Sequence, residues 1–564
     1  MKILALMMVA LFAVGGCSES DNKKEKNTSE FIPEKNSETT PEFTPEYRPG
    51  DDIPAIAYLK HNEMYNPEAV IPAQCYTKTE GVNNPCFVCH QTYSDESRPN
   101  FMKDGSLQGA YEFSDIGMTN SWKNLFKDRS EAIAGISDKE INEWTNTDNY
   151  SSFIDKQKQS ENWGGEISEI KQLPFPEKAF AEDGFAKDGS HWVAYNYKPL
   201  PSSFWPTNGS TGDAMIRLPE KFMTVAGQYN KSVYQANLAL VEMTIKNQNS
   251  VTVASVDEKI IGVDLNSDGQ QGIVTVMNKQ AHYLGDASDT AVEHMLFPQG
   301  TEFLHTVRYV GVDAHGGIYN APRMKEVRYM RKAAFKSPAA LRSSYFIEAK
   351  EKHLEQLPRT VSIGDRGIDN GFGWVINGYI ENEHGNLRQQ NKQELAFCNG
   401  CHKTVGSTID QVFSFARKVE GQQGWGYINL KTIQDVPSFG THDPEYLTYF
   451  KRAGGGDEFR QNQEMLQRWF DEKGNVDAEK VLQAQSIYEL ITPSAERALA
   501  MNKAYKTIVD EQSYIFGRDV VLKPAVNVLQ EVDTTTEPLL EEHRYQWDIR
   551  LDWSEGAQQR LAAE

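Results

Sequence analysis

Three things are scarce in this chain of 564 residues: cysteine, long apolar runs and positive charge. There are only six cysteines, so each has to be accounted for individually. The one long apolar run, residues 3–14, is too short to cross a bilayer and no second follows, so no membrane-spanning helix is expected. Lys and Arg number 58 against 79 Asp and Glu, giving a formal net charge of −21. That balance argues against nucleic acid as a partner and suits a basic protein instead. Aromatic bulk, by contrast, is ample: Phe 26, Tyr 24 and Trp 10 supply material for large interiors.

Four of the six cysteines stand in two pentapeptides, Cys86-Phe87-Val88-Cys89-His90 and Cys398-Asn399-Gly400-Cys401-His402. The spacing Cys-x-x-Cys-His is what covalent haem c attachment requires. Two thiols add across the two vinyl groups of one porphyrin, and the adjacent imidazole becomes the proximal iron ligand. A zinc ribbon and a redox dithiol also use Cys-x-x-Cys. However, Cys86 and Cys398 lie 312 positions apart, far beyond ribbon spacing, and neither motif follows the strand-then-helix pattern of a dithiol. On these residues the chain resembles the c-type cytochromes that carry two haems. The resemblance implies thioethers at Cys86, Cys89, Cys398 and Cys401, proximal ligation by His90 and His402, and electron chemistry.

The N-terminus is consistent with an exported protein. Lys2, the apolar run, then Gly15, Gly16 and Cys17 look like a bacterial lipoprotein signal over residues 1–16, with Cys17 the lipidated first residue of the mature chain. Ser18 in place of Asp favours the outer membrane. Residues 17–50 are rich in Ser, Glu, Lys, Asn, Thr and Pro and read as a disordered tether. Lipid and haem together use five cysteines. Cys75 is left over, and reads as an inert buried thiol.

The body divides by texture into residues 51–174, 175–331 and 332–564. Helical spacing is expected over 120–129 (Trp122, Leu125, Phe126) and over 138–144 behind the capping Ser137. Helices are also expected over 464–470, over 478–490 and beyond Pro493. Short β-branched runs between turns mark 175–331 as β-rich. The expected fold is therefore α+β and multidomain: two mostly α-helical cytochrome c-like haem regions separated by a β-rich middle domain.

Sixth ligands are less legible. Met118, in a loop before Trp122, is the first candidate for the first haem, with Met102, His61 and His191 competing. His305 and His294 are candidates from the middle region, where His282 and His315 also fall, and Met465, Met501 and His442 are candidates from the last. Asp264, Asn266 and Asp268 precede Gly269 like a calcium loop, but Thr275 stands where an EF-hand has Glu, which leaves a hairpin-borne calcium site as the alternative to a polar turn. If both irons have two protein ligands, the expectation is a lipid-anchored di-haem electron carrier of the cell envelope, working with basic redox proteins. If one iron is open, the alternative is a di-haem peroxidase or oxidase.

Overall fold

The long hairpin of Glu302–Val312 and Ile318–Lys332 is the seed of the structure, a computed structural model that describes residues 69–92, 98–99, 105–201, 206–354, 359–403, 405–455 and 462–554. Its turn is chemically specified: Asp313 Oδ1 accepts from His315 N (2.7 Å) and Gly317 N (2.8 Å), and Gly316 takes φ +79°. Register runs from Glu302↔Arg331 to Val312↔Ile318, with irregularities on either side of Arg308. Around this hairpin an antiparallel sheet of eight strands assembles in the order Val193–Ala194, Ala214–Arg217, Glu302–Val312, Ile318–Lys332, Trp374–Glu381, Ile368–Asp369 and Val361–Ser362, with Leu387–Gln389 also paired to Trp374–Glu381. A separate hairpin pairs Ser250–Asp257 with Ile273–Asn278.

Lys231–Lys246 is apolar nearly all round, and 13 of its 16 residues are buried, as befits a helix sunk in the core. Each aliphatic side chain so buried contributes about 1.5–3 kcal/mol. Asn230 caps it by accepting from Val233 N (3.1 Å). At its far end buried Glu242 holds both Lys246 (3.0 Å) and Lys418 (2.8 Å). A second long helix, Ala495–Glu511, capped by Ser494, lies on the hairpin, where Asn502 Nδ2 donates to Val310 O (2.7 Å).

Two mostly helical haem regions are not what forms. The sheet is central and draws strands from residue 193 to 389. One apolar core takes in Phe87 and Val88 of the first motif, Leu395 beside the second, the Lys231–Lys246 helix and Phe303 and Trp374 of the sheet. Residues 54–564 cluster as one unit. The expected 120–129 helix shrinks to a single 3₁₀ turn, Lys123–Leu125, because its polar groups reach elsewhere. Trp122 Nε1 donates to Ile71 O (2.9 Å), and Asn124 Nδ2 donates to Ser513 O (2.8 Å) and Gly517 O (2.7 Å). The expected 478–490 helix breaks into Ala478–Leu482 and Ile487–Ile491. Asp138–Thr145 forms with Ser137 as its cap, and Gln463–Trp469 forms as spacing suggests.

Candidate cofactor site

The second motif occupies the last turn and a half of the helix Lys392–His402. A capping box starts that helix: Asn391 Oδ1 accepts from Glu394 N, and Glu394 Oε2 accepts from Asn391 N, both at 2.9 Å. Arg388 clamps the same carboxylate through two bonds of 2.8 Å. Three residues apart on this helix, Cys398 and Cys401 share one face. His402 ends it with Nδ1 2.7 Å from the Gln411 carbonyl. Since a carbonyl can only accept, Nδ1 carries the proton and Nε2 keeps its lone pair for a metal. The carbonyl is held by a turn in which Asp410 and Gln411 both take positive φ (48° and 66°), a conformation costing about 1–3 kcal/mol per residue. Lys332 and Phe297 N (2.8 Å) fix Asp410, and Tyr345 OH receives the Gln411 amide.

Cys398, Cys401 and His402 face a cavity with about 1820 Å³ of empty space counted out to its mouth, of which about 270 Å³ admits the centre of a water molecule. These residues retain accessible surface although protein surrounds them on every side, because that surface belongs to the cavity. The sheet supplies one wall, with Phe303, His305 and Val307 alternating along a strand as period-two spacing requires, and Arg328 and Met330 beside them. Tyr195, Tyr197, Phe397, Phe413 and Tyr505 add aromatic surface, and Glu326, Arg417, Arg518 and Asp519 add charged groups. His305 pairs in the ladder with Arg328 on one side and Ala214 on the other. Burial first, then the neighbouring Arg328 charge, lowers its pKa to about 3, so the imidazole stays neutral, as a metal ligand must. Burial likewise pushes the Cys401 thiol up to about 11, the opposite of an activated redox dithiol.

Fully buried Lys325 also lines the cavity, 4.2 Å from the centre of the Tyr505 ring and 4.9 Å from that of Tyr309, donating to Ser210 Oγ (3.1 Å) and Gly209 O. The Tyr505 hydroxyl, buried at the same wall, has no hydrogen-bond partner among the described residues. An oriented imidazole, two thiols on one helix face, aromatic wall residues and a lysine whose pKa burial lowers to about 7 fit a tethered porphyrin with its carboxylates. Sequence reasoning missed Arg328, Lys325, Tyr505 and the Gln411 carbonyl, since no local pattern marks a strand residue or a main-chain oxygen as facing a cofactor.

The first motif is a 3₁₀ turn, Cys86–Val88, in which His90 N donates to Cys86 O (2.9 Å) and Cys86 N to Asn84 Oδ1 (3.0 Å). Phe87 anchors it, with its ring edge-on to Tyr545 (5.4 Å) and Trp547 (5.9 Å). Gln108 Nε2 holds the His90 carbonyl at 2.8 Å. Cys89 lines the same cavity as Cys398 and Cys401.

Of the other candidates, half-buried Met118 is held in its loop by Val532 N (2.8 Å) and is not among the cavity residues. His191 stacks on Tyr229 at 4.4 Å. His282, His315 and His442 are exposed, His294 is half-buried, and Met465 and Met501 are core residues. Asp264 and Asp268 spend their carboxylates on the main-chain N–H groups of their own loop: Gly269 N donates to Asp264 Oδ2 (2.8 Å) and Gln270 N to Asp268 Oδ1 (2.8 Å), while Asn266 Nδ2 donates to Asp268 Oδ2 (2.9 Å). Ahead of that loop Glu258–Ile261 is a helical turn rather than a strand. Among the described residues no three His, Cys, Asp or Glu side chains converge on a point. A porphyrin, ligated by one or two imidazoles, needs no such group. Cys75 is half-buried in the turn Ala73–Tyr76, and Cys17, His61 and Met102 lie outside the described residues.

Fold and site together define an α and β protein whose central antiparallel sheet and two Cys-x-x-Cys-His motifs enclose one cavity. The chain belongs to a lipoprotein family, whose sequence profile matches residues 59–488. It is similar to a protein of Aquifex aeolicus (strain VF5) described as an uncharacterized lipoprotein, 30 % identical over 537 residues, covering 83 % of this chain and 89 % of the relative. No solved structure matches the chain. Membership fits attachment to the cell envelope through a lipid anchor, and no helix among the described residues is long and apolar enough to cross a membrane.

Proposed function

We propose that this lipoprotein is a di-haem c-type cytochrome that carries electrons at the cell envelope, lipidated on Cys17 and favouring the outer membrane. The observation that carries the reading is the second motif. Cys398, Cys401 and His402 face one cavity, and His402 is already oriented by the Gln411 carbonyl with Nε2 left to ligate. Bound haem would supply a one-electron iron couple. Cys398 and Cys401 would hold its rim, and His402, with Nε2 free of its proton, would be the proximal ligand. Aromatic side chains would exclude water from the ring faces, and Lys325 and the Glu326-paired Arg328 are the basic side chains at the same wall. His305, neutral and lining the same cavity, would be the candidate for a second axial imidazole, and that supports the carrier reading over a peroxidase or oxidase with an open iron. Cys86, Cys89 and His90 are the residues that would hold a second porphyrin.

The reduced visible spectrum of the holoprotein, produced with a haem-attachment system and recorded before and after carbon monoxide, tests this. A two-haem c-type spectrum unmoved by carbon monoxide is the expected result. A shift in about half of the absorbance would transfer the assignment to the oxidase or peroxidase class, and a colourless protein would overturn the haem reading altogether.

A further inference from the structure

We infer that the porphyrins of both motifs lie in this one cavity, in contact with each other and with no protein layer between them. The inference rests on the haem reading above and adds what the sequence could not hold, the relation between two sites 312 positions apart in the chain. A thioether joins the cysteine sulfur directly to the porphyrin rim, so each ring must begin within one side-chain length of its motif. Cys89 opens into the same cavity as Cys398 and Cys401, and Cys89 and Cys398 both pack against the same apolar core.

The second motif packs tightly on the segment that precedes the first. Gly400, between the two cysteines of the second motif, lies directly on the chain that leads into the first: a Cβ there would stand 2.1 Å from the Val70 carbonyl oxygen. Pro72 and Gln74 of that leading segment form cavity wall alongside Phe397, and Phe397 sets its ring edge-on to Trp122 at 5.7 Å. A layer of protein between the rings would have to fill the space that Cys89 faces together with Cys398 and Cys401. With the rings in contact, an electron entering at either motif is shared across the pair, and each iron senses the oxidation state of the other.

The test is circular dichroism in the Soret region of the reduced full-chain holoprotein, with haem counted chemically on the same sample. Two haems per chain and a bisignate couplet, lost when Cys86→Ser and Cys89→Ser remove the first attachment site, are expected. Two haems with independent single-signed bands would overturn the shared cavity while leaving the haem reading standing, and so would one haem per chain. A colourless protein would remove both. Should the double variant not fold, the fully oxidised wild-type protein decides: contact predicts an electron paramagnetic resonance signal altered by coupling between two ferric irons, and two unperturbed signals would overturn the proposal.

Discussion

Glu326 is 2 % exposed and sits at the cavity wall, accepting from Arg328 Nε (2.9 Å) and Arg518 Nη1 (3.1 Å). Burial alone would raise its pKa, but the two guanidinium groups override it and hold the carboxyl at about 2. Because the folded value lies below the unfolded one of 4.5, ionised Glu326 contributes stability that is present above about pH 4.5 and is lost as pH falls through 2. The contribution is on the order of 3 kcal/mol. Urea unfolding at pH 5 and at pH 2 should therefore show a larger loss for the native chain than for Glu326→Gln, and equal losses would show that the pair with Arg328 contributes nothing of this kind. The same residues matter to the cofactor, since Arg328 stands opposite His305 in the ladder and beside Cys398 and Cys401.

Lys392–His402 shows how one helix does several jobs at once. Asn391 and Glu394 satisfy its first turn, its face offers Cys398 and Cys401 to the cavity, and its other side lies on the backbone at Val70. That close approach requires glycine at 400, so Gly400→Ala must push the helix from the 69–76 segment. A loss of about 1–3 kcal/mol, the usual cost of overpacking, is expected in chemical denaturation, with weakened haem attachment at the second motif. An unchanged midpoint would mean that the contact with Val70 is slack. The turn after this helix extends the logic, for two residues at positive φ persist there only because Lys332, Phe297 and Tyr345 hold them, and their product is one carbonyl aimed at His402.

The full chain, a member of a lipoprotein family, carries a formal charge of −21. For the proposed carrier this predicts steering of basic redox partners. The bimolecular rate of reduction by a basic electron carrier, followed by stopped flow, should fall steeply between about 0.01 M and 1 M salt, as the Debye length shrinks from about 30 Å to about 3 Å. A rate indifferent to salt would place the exchange site away from the acidic surface.

Read by itself, the sequence determined what depends on neighbours along the chain. Thioether attachment needs two cysteines three apart and a histidine next to them, and export of a lipoprotein is read from a dozen apolar residues and a cysteine, so both signals are complete within a short window; the family match bears out the lipoprotein. Capping at Ser137 was legible for the same reason; period-two spacing puts Phe303, His305, Val307 and Tyr309 on one face, but the irregular register around Arg308 sends Tyr309 to another cluster while the first three line the cavity. Tertiary structure alone decided what depends on partners far away. Trp122 and Asn124 give up a helix because Ile71, Ser513 and Gly517 accept their hydrogen bonds. The texture of three regions gives way to a central sheet with strands from 193 to 389, and the largest core cluster joins residues of all three regions, because apolar surface is buried wherever the folded chain brings it together. The meeting of Cys89 with Cys398 and Cys401 at a single cavity follows from that burial, which no window along the chain is long enough to contain.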